Sequence, residues 1–277
     1  MKEILKKGDI SQIILEGGGA LTGEVHLLGY KEKKYILRKC LTLKRAKFYE
    51  EIESKLGKYG FLPKILKRQG RKILYEYVKG RHLKRNEKME IFGELGKIVG
   101  RINTVKSQKM RTRFDENLKN LLTGRFKPDI KIRMRRKRSN IKKMPKKIIN
   151  GEQYSLLKKI HKNLMEKTKA QVTWDPSDIT VTNFILKKNK VYLVDIDSIK
   201  PALKGYGIAK FFDNWAKTPQ RQKAFKKGYE SILSMKYLDK IYEELINLEF
   251  LIQRLNWHNH VGRDMSKDLK KLKNYFK

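Results

Sequence analysis

Cysteine is almost missing: Cys40 is the only one in 277 residues, so no intramolecular disulfide can form and no cysteine-based metal site can be assembled. Long apolar runs are missing as well, and none approaches the roughly 20 residues of a membrane-spanning helix. Residues 1–10 interleave charges with short apolar pieces and lack the core of a secretory signal, so a cytoplasmic protein is expected. Internal repeats and low-complexity linkers are not found, and alanine is scarce beside abundant Lys, Ile and Asn. Acids are few: 29 Asp+Glu face 67 Lys+Arg, leaving a formal net charge of +38. Such a field draws polyanions, whether nucleic acid, anionic lipid headgroups or phosphorylated glycolipid, without choosing among them. Part of the excess is a solvated lysine surface.

What is present describes a folded protein. Hydrophobic residues make up 39% and aromatic residues 10% of the chain, enough for a real core, and the length allows two lobes or one large domain. Strands are expected at Ser11–Leu15 and Glu24–Leu28, joined through Gly17, Gly18 and Gly19. Those glycines can let backbone N–H groups cradle phosphates, or simply make a flexible connection. A further strand over Lys34–Leu41 alternates so that Ile36, Arg38 and Cys40 share one face, while Lys39 lies on the other. Either cation could reach phosphates, or discourage edge-to-edge pairing. A helix over Lys44–Lys58 carries Glu50, Glu51 and Glu53, of which one could pair with the strand cation. Strands over Phe61–Leu66 and Lys72–Val78 complete a small sheet.

Helical spacing then takes over, at Met89–Val105, Glu152–Thr168, Gln220–Ser234 and Leu238–His258. His161, beside one apolar stripe, reads as a packed or surface side chain. Between the first two helices, residues 125–147 hold twelve basic residues against Asp129 alone, and include Arg133, Arg135, Arg136, Lys137 and Arg138. Such a segment cannot form its own core; it is a loop or a surface for an anionic partner.

The densest chemistry lies at Trp174–Asp175–Pro176–Ser177–Asp178, followed by Asn183 in the spacing D-x-x-x-x-N, and then by a strand, a turn and a second strand reaching Asp195 and Asp197. A carboxylate that orients an acceptor hydroxyl, with hard oxygen donors for magnesium, is what phosphoryl transfer from ATP needs. Asp178 suits the first role; Asn183 and Asp195 suit the second. The same residues also cap ordinary turns.

Taken in order, these pieces resemble the protein-kinase-like fold, in its aminoglycoside phosphotransferase and lipopolysaccharide core kinase branches. The likeness runs from about Ser11 to Asp213 and includes Leu74–Leu83 as a hinge and Leu95–Asn103 as the helix after it. It implies an α+β, bilobal protein: residues 1–80 a nucleotide-binding lobe of antiparallel sheet with one helix, and residues 81–277 a larger, mostly helical catalytic lobe with the polybasic insertion. It further implies Asp178 as catalytic base, with Asn183 and Asp195 as magnesium ligands and Asp197 as a supporting carboxylate. Arg38 would bind the nucleotide in pair with Glu53 or Glu50, the three glycines would cover the phosphates, and Glu76, Tyr77 and Val78 would meet adenine. Pro176 stands where the family usually has a histidine, and the glycines depart from G-x-G-x-x-G spacing.

The expected activity is therefore an ATP- and Mg2+-dependent phosphotransferase acting on a hydroxyl of an anionic acceptor, with a lipopolysaccharide core sugar as first choice. The basic cluster would hold that acceptor, and peripheral contact with an anionic inner membrane face would accompany it. The alternatives are a small-molecule kinase, a protein Ser/Thr kinase, or an inactive kinase-like protein that binds nucleic acid or membrane.

Overall fold

A computed structural model of the protein describes residues 9–11, 23–30, 32–106, 113–125, 145–177, 179–236 and 238–276. Five strands, β1 (Asp9–Ser11), β2 (Gly23–Tyr30), β3 (Lys33–Cys40), β4 (Ile65–Gln69) and β5 (Lys72–Glu76), form one antiparallel sheet in the order β1-β2-β3-β5-β4. The expected alternation in β3 holds: Arg38 and Cys40 are buried on one face, while Lys39 turns away to Glu24 at 3.4 Å. Helix α1 (Leu43–Leu56) starts where the Thr42 hydroxyl accepts the Arg45 N–H, and buries Ala46, Tyr49, Ile52 and Leu56 at helical spacing.

Two strands begin elsewhere than expected. The first covers Asp9–Ser11, and residues 12–15 lie outside the described residues together with Gly17, Gly18 and Gly19. The strand expected from Phe61 starts only at Ile65, because Pro63 has no N–H to give a ladder and Phe61 and Leu62 are instead buried as core side chains. The Phe61 carbonyl accepts the Leu193 N–H at 2.8 Å, which ties this segment to the other lobe.

That lobe contains β6 (Arg81–His82), α2 (Met89–Asn103), α3 (Phe114–Thr123), α4 (Gly151–Thr168), β7 (Val172–Pro176), β8 (Phe184–Lys187) and β9 (Lys190–Leu193). They are followed by β10 (Ile199–Leu203), α5 (Tyr206–Asn214), α6 (Pro219–Glu230), α7 (Lys240–Val261) and α8 (Ser266–Lys273). Helices α2, α4, α6 and α7 match the expected ones within a few residues. Asn150 and Gln153 begin α4 with a reciprocal capping box. Helices α3 and α8 and the pair β7–β10 were not anticipated, being short and largely polar or interrupted by proline. His161 is packed as expected, stacked 3.8 Å from Phe114 and paired with Glu249 at 2.9 Å.

One apolar cluster runs from Cys40, Tyr49, Ile52 and Tyr75 of the first lobe into Phe92, Phe184, Leu193 and Ile196 of the second. The architecture is thus a small antiparallel sheet with one helix against a larger helical lobe, joined after β5. Among the described residues no helix is long and apolar enough to cross a membrane.

Candidate active site

The β8–β9 hairpin pairs Phe184 with Leu193, and the Val194 N–H donates to the Asn183 carbonyl at 2.8 Å. Its two arms therefore deliver Asn183 and Asp195 to the same open end. Asn183 is buried and closes a short turn (Val181–Asn183). Asp195 opens another, in which Ser198 donates to the Asp195 carbonyl from its N–H at 3.1 Å and from its hydroxyl at 2.8 Å.

Asp178 lies outside the described residues, but the chain before it is tightly held. The Ser177 N–H and hydroxyl both donate to the Ser198 carbonyl, at 2.9 and 3.0 Å. The Lys210 ammonium of α5 donates to the Ser177 carbonyl at 2.9 Å. Three residues before Asp178, fully buried Asp175 accepts from Asn103 Nδ2 at 3.0 Å and from the backbone N–H groups of Gly205 at 3.1 Å and Gly207 at 2.7 Å. Tyr229 donates in turn to Asn103 Oδ1 at 3.0 Å. Burial pushes the Asp175 carboxyl up to about 6, although these donors oppose the shift. Asp175 thereby caps α5 and fastens the loop to α2.

Sequence reasoning passed over Asp175, Asn103 and Lys210. The signal that could have found them was the pair Gly205 and Gly207. Gly205 has φ 83°, and a Cβ on Gly207 would sit 2.4 Å from the Pro176 carbonyl oxygen. Glycines so placed mark a close approach of two backbones.

Facing the hairpin, Arg38 of β3 donates from Nη1 to the Tyr49 hydroxyl at 2.5 Å and to Asp197 Oδ2 at 3.0 Å. Arg45 of α1 donates from Nη2 to Asp197 Oδ1. Burial works against charge on both arginines, yet Tyr49 and Asp197 beside Arg38, and Asp197 beside Arg45, outweigh it and hold both above their ordinary value. Burial also pushes the Tyr49 phenol up, out of its ordinary range.

These contacts differ from two expectations. Among the described residues Arg38 makes its ion pair with Asp197 and not with Glu50 or Glu53: Glu50 pairs with Arg68 of β4 at 2.5 Å, and the face of α1 turned to β3 presents Tyr49. Asp197, expected to support the metal, gives both carboxylate oxygens to guanidinium groups.

At the end of β5, Glu76 accepts the Lys64 N–H at 3.1 Å, Tyr77 lies 6.0 Å from the Lys34 ammonium and Val78 is buried. Arg133, Arg135, Arg136, Lys137 and Arg138 fall outside the described residues. A cavity of about 520 Å3 lies between α5, α7 and the carboxyl-terminal segment, and Glu244, Phe250, Arg254, Lys271 and Tyr275 help to line it. Lys210 links this lining to the loop, since its ammonium stands 5.6 Å from the Phe250 ring while bonded to Ser177.

Among the described residues no three His, Cys, Asp or Glu side chains gather to hold a metal ion. Asn183 and Asp195 offer an amide and a carboxylate oxygen, the hard and incomplete donor set that suits magnesium shared with phosphates.

The family described as choline/ethanolamine kinase matches residues 21–251. Choline kinase LicA from Streptococcus pneumoniae superimposes with a TM-score of 0.64 at 16% identity, covering 99% of this chain and 96% of that one. An ethanolamine kinase from Plasmodium vivax gives a TM-score of 0.57 at 13% identity, with 98% and 82% covered. A spectinomycin phosphotransferase solved with ADP and spectinomycin gives 0.57 at 14% identity, with 98% and 89% covered. A search of curated proteins finds no match.

Proposed function

The chain belongs to the choline/ethanolamine kinase family and is a kinase with a hydroxyl acceptor, and from that premise we propose that it transfers the γ-phosphoryl group of ATP to a small alcohol. The observation that carries this reading is the meeting of the Asn183 and Asp195 arms at one end of the hairpin, two residues from the buried pair of Asp197 and Arg38. Phosphoryl transfer asks the protein for positioning and charge neutralisation more than for covalent chemistry.

In this reading the Asp178 carboxylate takes the proton of the acceptor hydroxyl, Asn183 and Asp195 offer oxygens to the metal, and Arg38 donates to the phosphates. Magnesium, when bound, neutralises charge on the transferring group. Gly17, Gly18 and Gly19 cover the phosphates, and backbone groups of Glu76, Tyr77 and Val78 hold adenine. Asp175 and Lys210 keep the loop in place through the bonds described above.

The cavity between α5, α7 and the carboxyl-terminal segment seats the acceptor. Tyr275 offers an aromatic face and Glu244 a carboxylate, while Arg254 is matched by Asp268 at 2.5 Å and Lys271 adds a cation at the wall. An aromatic face beside a carboxylate receives an ammonium group, so an amino alcohol is the acceptor to be tested first. The net charge of +38 does not forbid this, because exposed charges beyond about 8–10 Å are screened, whereas the lining acts at contact. One observation favours a second class, an anionic sugar of a lipopolysaccharide core: the twelve basic residues in 125–147. There Arg133, Arg135, Arg136, Lys137 and Arg138 would hold the acceptor at an anionic inner membrane face.

Radiolabelled ATP offered with choline, ethanolamine or a lipopolysaccharide core oligosaccharide tests the reading. Label should reach an amino alcohol, and Asp178→Asn should lower transfer by about a thousandfold. Label on the oligosaccharide alone would move the acceptor to the second class. If no hydroxyl compound gains label, the proposed transfer is wrong.

A further inference from the structure

Asp197 joins two arginines that come from different elements of the first lobe, and the second of them, Arg45, has no part in the reaction described above. The Asp197 side chain is 2% exposed, Arg38 11% and Arg45 34%, so the three form a gradient from the interior toward the cleft. The two guanidinium groups also share a ring: Arg38 stands 5.0 Å and Arg45 5.8 Å from the centre of Tyr49. Two cations share the one carboxylate of Asp197, and Asp195, one short turn away, is a second carboxylate whose charge acts on Arg38.

The donors are not used up. Each guanidinium has five N–H groups. In the bonds described, Arg38 commits only Nη1, and the buried Nε of Arg45 has no partner among the described residues. A donor left unpaired away from water is costly, so a ligand oxygen that reached it would bind more tightly.

We propose that Asp197 is not a metal ligand but clamps Arg38 and Arg45 into a paired-guanidinium seat for nucleotide phosphates, which makes Arg45 a nucleotide-binding residue and Asp197 a positioning residue. This deepens the kinase reading and rests on it. Planar guanidinium groups recognise phosphate oxygens two at a time, and a carboxylate between them keeps like charges side by side.

Binding measurements separate this seat from a metal role without any turnover. A fluorescent ADP analogue in EDTA should bind Arg45→Gln about tenfold more weakly than wild type, with Asp197→Asn affected similarly. At saturating nucleotide, the Mg2+ concentration that half-saturates Asp197→Asn should stay within about twofold of wild type. Unchanged ADP affinity in Arg45→Gln overturns the seat, and a large rise in the Mg2+ requirement of Asp197→Asn makes residue 197 a ligand after all. If Asp197→Asn fails to fold, Arg45→Gln decides alone, since Arg45 is one-third exposed. Wild type that binds no ADP overturns the kinase reading and this one together, whereas wild type that binds while Arg45→Gln is unchanged overturns only this one.

Discussion

A buried carboxylate with three donors sets the loop that precedes Asp178. Asp175 has its carboxyl pushed up to about 6 by burial, from an ordinary 3.8. Between those values the folded chain holds a proton that the unfolded chain has released, so this group's contribution to stability is complete below about pH 4 and is lost as pH rises through 6. Asp175→Asn removes that contribution. Its deficit in Tm against wild type should therefore be widest near pH 4 and narrower at pH 7; a gap that widens with pH would show that the carboxylate is held as an anion. At this scale the sequence was legible where chemistry is local. Asn183 and Asp195 meet because a four-residue strand, a turn and a second strand must return the chain to its start. Partners far apart in the chain left no such trace: Arg38 and Asp197 are 159 residues apart, and the helix that was to answer Arg38 with an acid presents Tyr49 instead.

Element packing turns on two helices that approach without side chains between them. On α6, a Cβ at Gly228 would lie 1.9 Å from the Gly93 carbonyl oxygen of α2, and one at Gly96 would lie 2.1 Å from the Phe225 carbonyl oxygen. These are backbone atoms, which cannot rotate aside, so Gly228→Ala must separate the helices. About 3 kcal/mol of stability should be lost, seen as a fall in Tm of several degrees. A variant that melts with wild type would mean that α6 is free to shift. Because α2 also carries Asn103, the same substitution should loosen the Asp175 cap. Helix periodicity exposed α2 and α6 from sequence, but not that glycines bring them together. Nor could a run such as Phe61–Leu66 reveal that Pro63 would end the ladder and leave Phe61 to bridge the lobes.

Across the whole molecule, a sheet that holds Arg38 and a helical lobe that holds Asn183 and Asp195 share one core, with Phe48 of α1 6.0 Å from Trp174 and Lys55 4.6 Å above the same indole. The kinase-like fold follows from the order of these pieces, whereas membership of the choline/ethanolamine kinase family comes from the match over residues 21–251 and not from that order. Charge alone does not choose the acceptor, since +38 belongs to the whole sequence and the proposed acceptor cavity is lined by its own few groups. The central claim is that Asp195 holds the metal of a nucleotide complex, and calorimetric titration of ADP with and without Mg2+ reaches it most directly. Wild type should bind ADP at least about tenfold more tightly with Mg2+, while Asp195→Asn keeps the metal-free affinity and loses the gain. An Asp195→Asn variant that tightens with Mg2+ as wild type does would contradict the account.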